Sequence, residues 1–472
     1  MTTTPGRTAR GALLGVATVV GERAIAFVVV VVLARTLSPA AFGVYGYVLA
    51  GTALVQVLCD QGIEVAGVAR MSAVPGAAAE AMGAVMLWRL LVWLVIAVPV
   101  GWLALPALSA DPGASIAPIG LAASGLVLVG ASASMRSACR AAGAMGAMAA
   151  VAIADGLLGG AAVVLAARST GLAGVFAARV LGSLVVTAGA LALGRWRPRL
   201  ARLRWPALRE VGVVALPLAA NALLIAVQVR AGHVLAMRLA GPAVVGLLGV
   251  AARMTEVLGV LPEGVLLAVF PRMAAAPHEA AKLAADAARR LAVVVLAPVV
   301  ALVVGAGPLA ATVFGPAYAG AAPAIAILAW GALFATTGGV ILHAIVARGG
   351  ERLLVAANVA AAVLAVVLQT TLIPALGLSG AALATVLTIA SGQACLLVPG
   401  ATREIVVGVW RRAVPAVALA ALVAAVAMRL RPDLAGAAGA AVAYLGLASL
   451  VGLVGRDDWR LLAATVFAWR RG

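Results

Sequence analysis

Lysine is almost absent from this chain: Lys282 is accompanied by 33 arginines among 472 residues. Its context, HEAAKLAAD, lacks the glycine-rich phosphate cradle of a P-loop, which excludes ATP binding by that route. The three histidines have no carboxylate or cysteine partners at metal-ligand spacing, and the three cysteines cannot all pair. No GxSxG or CxxC motif occurs, and no loop is long enough to carry an outer catalytic site. These absences predict a protein that is not an enzyme and that holds no metal or cofactor.

Charged and aromatic residues are also few, at 11% and 4%, whereas 65% of the residues are hydrophobic and 53 are glycine. A water-soluble protein could not hide so much apolar surface, so lipid must be the solvent for most of this chain. Small residues let transmembrane helices approach one another closely. The composition therefore predicts an all-α polytopic membrane protein.

Apolar runs long enough to cross about 30 Å of hydrocarbon occur about fourteen times. They lie near residues 11–34, 42–68, 83–105, 114–138, 144–167, 171–194, 208–237, 241–270, 290–314, 322–346, 351–374, 379–400, 409–428 and 434–454. The final stretch, GRDDWRLLAATVFAWRRG, mixes large apolar residues with arginine and predicts an amphipathic helix on the inner membrane surface. A disordered tail is the alternative for that stretch.

The basic residues are distributed unevenly among the breaks between these runs. With a cytoplasmic N-terminus, the inner segments hold 24 Lys and Arg, and the outer loops hold five, which are Arg35, Arg168, Arg238, Arg429 and Arg431. This asymmetry follows the positive-inside rule, so we expect both termini in the cytoplasm. It also accounts for the net charge of +18 without nucleic acid as a partner.

One interruption of the apolar pattern is copied in the second half of the chain. LARTLSPAAFGVYGYVLAG at 33–51 and LAMRLAGPAVVGLLGV at 235–250 belong to regions in which five similar pairs lie 203 positions apart. The pairs are Arg35 and Arg238, Pro39 and Pro242, Ala40 and Ala243, Gly43 and Gly246, and Asp60 and Glu263. GLAG at 171–174 also matches GLSG at 377–380. A six-helix unit therefore occurs twice.

Because six is an even number, both copies of the unit enter the membrane from the same side as parallel repeats, which we expect to enclose a cleft near the bilayer midplane. The predicted organisation is an N-terminal six-helix lobe over residues 1–205 and a C-terminal six-helix lobe over residues 206–402. Two extra transmembrane helices and the amphipathic cytoplasmic tail occupy residues 403–472.

A charge at the centre of a spanning helix costs about 2.5–3.5 kcal/mol, so each one needs a reason. Most fall in the first two helices of each repeat, where we expect them to border the cleft: Glu22, Arg23, Asp60, Glu64, Arg230, Arg253, Glu256 and Glu263. Arg253 and Glu256 are spaced to pair on one helix face. Asp155 and Arg179 are isolated in the fifth and sixth runs. For each residue the alternative is a purely structural ion pair.

Two prolines lie inside the first two runs of the second repeat. Pro217 and Pro262 remove backbone hydrogen bonds there, which predicts hinges in the seventh and eighth spans. A static kink is the alternative for each proline.

Three stretches of the chain resemble one known family. They are 33–50, 233–274 and 314–386, the last with its FGPAY opening, its ARGGERLL turn and its LIPALGLSGAA element. On these residues the chain resembles the Wzx-type polysaccharide flippases of the multidrug/oligosaccharidyl-lipid/polysaccharide (MOP) exporter superfamily, with MATE-like lobes.

The resemblance implies alternating-access transport of undecaprenyl-pyrophosphate-linked oligosaccharide to the outer leaflet of the bacterial plasma membrane, for polysaccharide biosynthesis. Four arginines would then offset the pyrophosphate charge: Arg23, Arg253, Arg230 and Arg179. Four carboxylates are candidates for coupling to H⁺ or Na⁺: Glu22, Asp60, Glu256 and Glu263. The membrane potential favours outward anion movement by roughly 2.3 kcal/mol per charge per 100 mV, so coupling is optional. A polysaccharide polymerase and glycosyltransferases are the expected partner proteins.

Three alternatives stay open at this point. A lipid II flippase is the rival within the same class. A drug or cation antiporter of the superfamily would use Glu22 and Glu256, although arginines inside the membrane disfavour cationic cargo. A non-transporting scaffold would tolerate neutralisation of every cleft charge.

Overall fold

In a computed structural model, the structure describes residues 5–63, 66–67, 78–108, 116–129, 145–193 and 205–455. Within these ranges the chain forms helices and connecting turns, and no strand occurs. Glu64, the predicted tail helix beyond residue 455, and the side chain of Glu263 lie outside the described part.

The described helices follow the predicted apolar runs. We number them α1 Pro5–Thr36, α2 Pro39–Val57, α3 Ala78–Val92, α4 Ile116–Ser124, α5 Met145–Ser169, α6 Gly171–Leu193, α7 Trp205–Leu239, α8 Pro242–Glu256, α9 Val260–Ala275, α10 Ala280–Phe314, α11 Ala322–Ala347, α12 Glu351–Cys395, α13 Gly400–Leu430 and α14 Leu434–Leu450. π-Helical turns extend α2 over Leu58–Ile63 and α3 over Trp93–Ala97 and Val100–Ala104.

Ten helices of the described part are long and apolar enough to cross a membrane, and Ile116–Val129 and Leu434–Leu450 are shorter apolar helices. The long helix α12 covers two predicted runs because it bends at Gly377, whose backbone is not helical (φ 55°, ψ −126°). Conversely, α8 and α9 share one predicted run, which a 3₁₀ turn at Val257–Gly259 divides. The prediction of an all-α polytopic membrane protein is confirmed.

The copied sequence elements have matching local conformations. Pro39 and Pro242 each begin a helix, where proline is favoured because no backbone N–H is needed. Gly171 and Gly377, from the GLAG and GLSG elements, both adopt positive φ, at 67° and 55°. A side chain is strained in that region, so glycine is kept at both turns for the same reason.

The first of two compact units comprises the described residues up to Ala243. In it α5 packs against both α1 and α6, and α7 packs against α2 and its π-helical turn. The second unit comprises the described residues from Val244 to Gly455 and is built around α10, which packs against α11, α13 and α14. The lobe boundaries at 205/206 and 402/403 concern the sequence repeat and stay predictions.

We expect Gly120→Ala to destabilise the first unit by about 3 kcal/mol, the upper end for overpacking. A Cβ on Gly120 would overlap the backbone carbonyl of Gly101 in the extension of α3, and backbone on both sides cannot rotate away. Gly189→Ala is the matched control, since nothing lies within 4 Å of a Cβ there. Thermal midpoints in one detergent would measure the difference. Equal midpoints for the two variants would contradict this close helix contact.

Candidate functional site

A buried ion pair lies where α2 loses regular α-helical geometry. Nη1 of Arg89, on α3, donates to Oδ1 of Asp60 at 2.9 Å, and the two side chains are 2% and 33% exposed. Asp60 belongs to the π-helical turn Leu58–Ile63. Such turns interrupt helices at functional sites more often than elsewhere. The sequence suggested Asp60 alone, and the structure supplies its partner in Arg89.

A second pair in the first unit joins α5 to α6. The Arg179 guanidinium contacts both carboxylate oxygens of Asp155, at 3.3 and 3.0 Å, and Nη1 also donates to the Asp155 carbonyl at 3.2 Å. Asp155 is only 5% exposed, and Arg179 is 28% exposed. The prediction that Asp155 and Arg179 are isolated is therefore wrong, because the two side chains form an ion pair. Two helices bring them together.

Glycine makes room for this pair. A Cβ on Gly159 would overlap Nη1 of Arg179, and one on Gly182 would lie 3.0 Å from Cα of Gly159. The backbones of α5 and α6 therefore approach closely at the point where the guanidinium reaches its carboxylate. Arg179 has a position fixed by packing.

The second unit holds the pair that the sequence predicted. Nη1 of Arg253 donates to Oε2 of Glu256 at 2.7 Å, within the last turn of α8. Their side chains are 28% and 49% exposed, so this pair is more accessible than those of the first unit. A cation in the last helical turn is stabilised by the helix dipole. The 3₁₀ turn at Val257–Gly259 follows directly.

Three more of the predicted residues lie on α1 and α7, and Glu263 lies in α9. Glu22 is half-buried and Arg23 is exposed on α1. Arg230 is half-buried on α7, one turn before the buried His233. None of these residues belongs to the three ion pairs above.

The two predicted hinge prolines have different surroundings. Pro217 is exposed inside the continuous helix α7. Pro262 lies buried in the first turn of α9, directly after the break that separates α8 from α9. A proline costs little in a first turn, so the chain interruption at Val257–Gly259 and Pro262 form one feature.

Sequence reasoning missed a buried amide in the second unit. Oε1 of Gln393 accepts from Thr337 Oγ1 at 3.2 Å and from Trp410 Nε1 at 2.9 Å, and Nε2 donates to the Phe334 carbonyl at 2.6 Å. These bonds join α11, α12 and α13. The signal was the rarity of glutamine in an apolar run, since a polar side chain there must find partners.

Comparison with known proteins gives a family and a fold. Residues 9–276, more than half of the chain, match the sequence family described as "Polysaccharide biosynthesis protein". No curated protein sequence matches the chain.

Among solved structures, the lipid II flippase MurJ in an inward closed conformation is similar with a TM-score of 0.71 at 10% identity, over 96% of this chain and 98% of that one. An inward-facing multidrug resistance MATE family transporter of the MOP superfamily has a TM-score of 0.64 at 15% identity, over 82% and 96%. A MOP superfamily transporter from Pyrococcus furiosus has a TM-score of 0.53 at 14% identity, over 87% and 99%. At such identities the likeness concerns the fold, and the fold is that of the superfamily named from the sequence.

Proposed function

Because the chain belongs to the polysaccharide biosynthesis protein family, we propose that it translocates an undecaprenyl-pyrophosphate-linked oligosaccharide from the inner to the outer leaflet. It is a multi-pass membrane protein and a transporter rather than an enzyme. The proposal places it in the bacterial plasma membrane with both termini in the cytoplasm. Alternating access by two repeats is the proposed mechanism.

The observation that carries the proposal is the accessible Arg253–Glu256 pair at an interrupted membrane helix. The Arg89 side chain, by contrast, is buried beside Asp60 and is not accessible to a ligand. Arg253 instead keeps a partly exposed guanidinium whose planar fork can bind a phosphate oxygen pair. The pyrophosphate would replace Glu256 as the partner of Arg253.

Arg23, exposed on α1, and Arg230, on α7, complete the proposed set of phosphate-binding residues. Arg179 is the weakest member, because it already makes two contacts with the buried carboxylate of Asp155. Its proposed contribution is a positive rim for the pyrophosphate while it stays bound to Asp155.

Coupling to H⁺ or Na⁺ is proposed at carboxylates that are accessible enough to exchange an ion. Glu256 is 49% and Asp60 33% exposed, and both lie at helix irregularities. Glu22 and Glu263 are the other candidates. Pro217 and the break before Pro262 are the proposed points of bending. A polysaccharide polymerase and glycosyltransferases are the proposed partner proteins.

We expect the purified protein in liposomes to move a fluorescent undecaprenyl-pyrophosphate-linked oligosaccharide between leaflets at least about tenfold faster than protein-free liposomes do. A membrane-impermeant reductant that bleaches the outer leaflet would report the rate. Lipid II is the second candidate substrate because of the likeness to MurJ, and its movement would be measured in the same assay. Movement of a cationic dye without either glycolipid would instead indicate an antiporter, and movement of none would indicate a scaffold.

A further inference from the structure

A long apolar groove runs between α1 and α5 of the first unit. Its volume is about 590 Å³, within the range of about 300–1,000 Å³ typical of ligand sites. Large side chains form its rims and stay exposed, with Val28 at 59%, Leu157 at 55% and Leu165 at 70%. Because α5 is long and apolar enough to cross a membrane, we expect hydrocarbon rather than water in the groove.

Two glycines of α5 form the floor of the groove. A Cβ on Gly160 would lie 2.7 Å from Cγ2 of Val29, and one on Gly156 would lie 3.3 Å from Cδ1 of Ile25. The absence of side chains at these positions lets the two backbones approach, so the groove stays narrow at its base while the rims rise on either side. The narrow base of the groove suits a single hydrocarbon chain of a lipid.

Both helices carry an arginine beyond the same end of the groove, with Arg168 three residues after the lining residue Leu165 and Arg35 six residues after Val29. The contacts of Ile25 with Gly156 and of Val29 with Gly160 put the two helices in a common register. Arg35 follows the lining residue Val28 by two turns, and Arg168 follows the lining residue Ala161 by two turns, so each lies on the groove face of its helix. Both side chains are exposed, and they lie at the same end of the groove.

The groove is about as long as one leaflet is thick. At 1.5 Å per residue, its lining on α5 rises about 14 Å from Gly156 to Leu165, close to half of the hydrocarbon thickness, and its lining on α1 is confined to Ala24–Val29. Two arginines complement a phosphomonoester or pyrophosphate, which carries more charge than the phosphodiester of a membrane phospholipid. One narrow slot also suits a lipid with a single chain rather than two.

We propose that this groove binds the polyprenyl phosphate carrier itself, with the headgroup at Arg35 and Arg168 and the first part of the chain between α1 and α5. The inference rests on the proposed function, because it makes the occupant the lipid part of the substrate. The positive-inside rule assigns this end of the helices to the outer side, so the groove is a docking place for the carrier after translocation. It gives the flipped lipid a defined position before release.

A photoreactive polyprenyl monophosphate, with the diazirine in its first isoprene units, tests the proposal on the full-length protein in nanodiscs. We expect the label on α1 and α5 beside the groove, and competition by undecaprenyl phosphate at concentrations at least about tenfold below those of phosphatidylglycerol or polyprenol. Ala161→Phe, which fills the groove from an exposed position, should abolish labelling. Ala24→Phe fills it from the other helix and gives a second, independent variant. The control is Ala188→Phe on the exposed face of α6.

A separate set of variants tests the two arginines near the end of the groove. The double substitution Arg35→Ala and Arg168→Ala should reduce labelling more than about tenfold, because the loss of even one charge-assisted phosphate contact has about that effect, whereas Arg238→Ala at the exposed end of α7 should not reduce it. Equal competition by phosphatidylglycerol would overturn the proposal in favour of ordinary boundary lipid, as would labelling that survives both phenylalanine variants. If wild-type protein moves the glycolipid but shows no such label, only the groove assignment fails. If it moves no glycolipid, the proposed function fails.

Discussion

An Arg253→Ala variant that reaches the membrane at the wild-type level is expected to lose glycolipid translocation. A charge-assisted hydrogen bond contributes about 1.5–3 kcal/mol, so losing the phosphate contact should slow transport at least about tenfold. The loss should be larger still, because Glu256 then stays as an uncompensated anion beside an anionic substrate. Leaflet-to-leaflet movement in liposomes measures it. Arg23→Ala should also abolish transport.

The double variant Arg253→Ala with Glu256→Ala separates two explanations. If Arg253 only neutralises Glu256, removing both charges should restore transport. If Arg253 binds the pyrophosphate, the double variant stays inactive, and Arg253→Lys recovers only part of the rate because ammonium cannot form the two parallel bonds of guanidinium. Arg238→Ala, an exposed arginine at the end of α7, serves as the matched control and should transport normally. Full transport by both Arg23→Ala and Arg253→Ala would contradict the proposed pyrophosphate role.

The second large effect concerns stability. Asp60→Ala is expected to destabilise the protein by about 3 kcal/mol, because removal of one partner leaves the charge of the other buried. Here that partner is Arg89, whose side chain is 2% exposed. Thermal midpoints in detergent would report the loss. Arg431→Ala, which breaks the exposed pair with Asp433, is the control and should cost less than about 1 kcal/mol.

Adding Arg89→Met to Asp60→Ala should recover most of the lost stability, since a buried pair can be replaced by apolar side chains of similar size at little cost. A double variant less stable than Asp60→Ala would mean that Arg89 is held by other interactions. Transport by the recovered double variant then tests coupling separately. Loss of ion dependence with retained transport would support Asp60 as a coupling site.

The helices illustrate how far linear patterns reach. Hydropathy located the apolar runs because the cost of placing a residue in lipid depends on its own chemistry. Helix interruptions were harder to place. Pro262 marked the eighth run, but the break falls at Val257–Gly259, and the non-helical residue of α12 is Gly377, three residues after Pro374. Backbone conformation at these positions reflects tertiary packing as well as local preference.

Composition and hydropathy were enough to predict a chain that is surrounded by lipid and crosses the membrane repeatedly. The twofold occurrence of a six-helix unit, read from matching residues, stays a prediction. The sequence also predicted the Arg253–Glu256 pair, since residues three apart share a helix face whatever the helix packs against. The ion pairs of Arg179 with Asp155 and of Arg89 with Asp60, and the apolar groove between α1 and α5, became visible only in three dimensions. Those contacts join separate helices, and their register depends on where small residues let two backbones approach, which no single helix specifies.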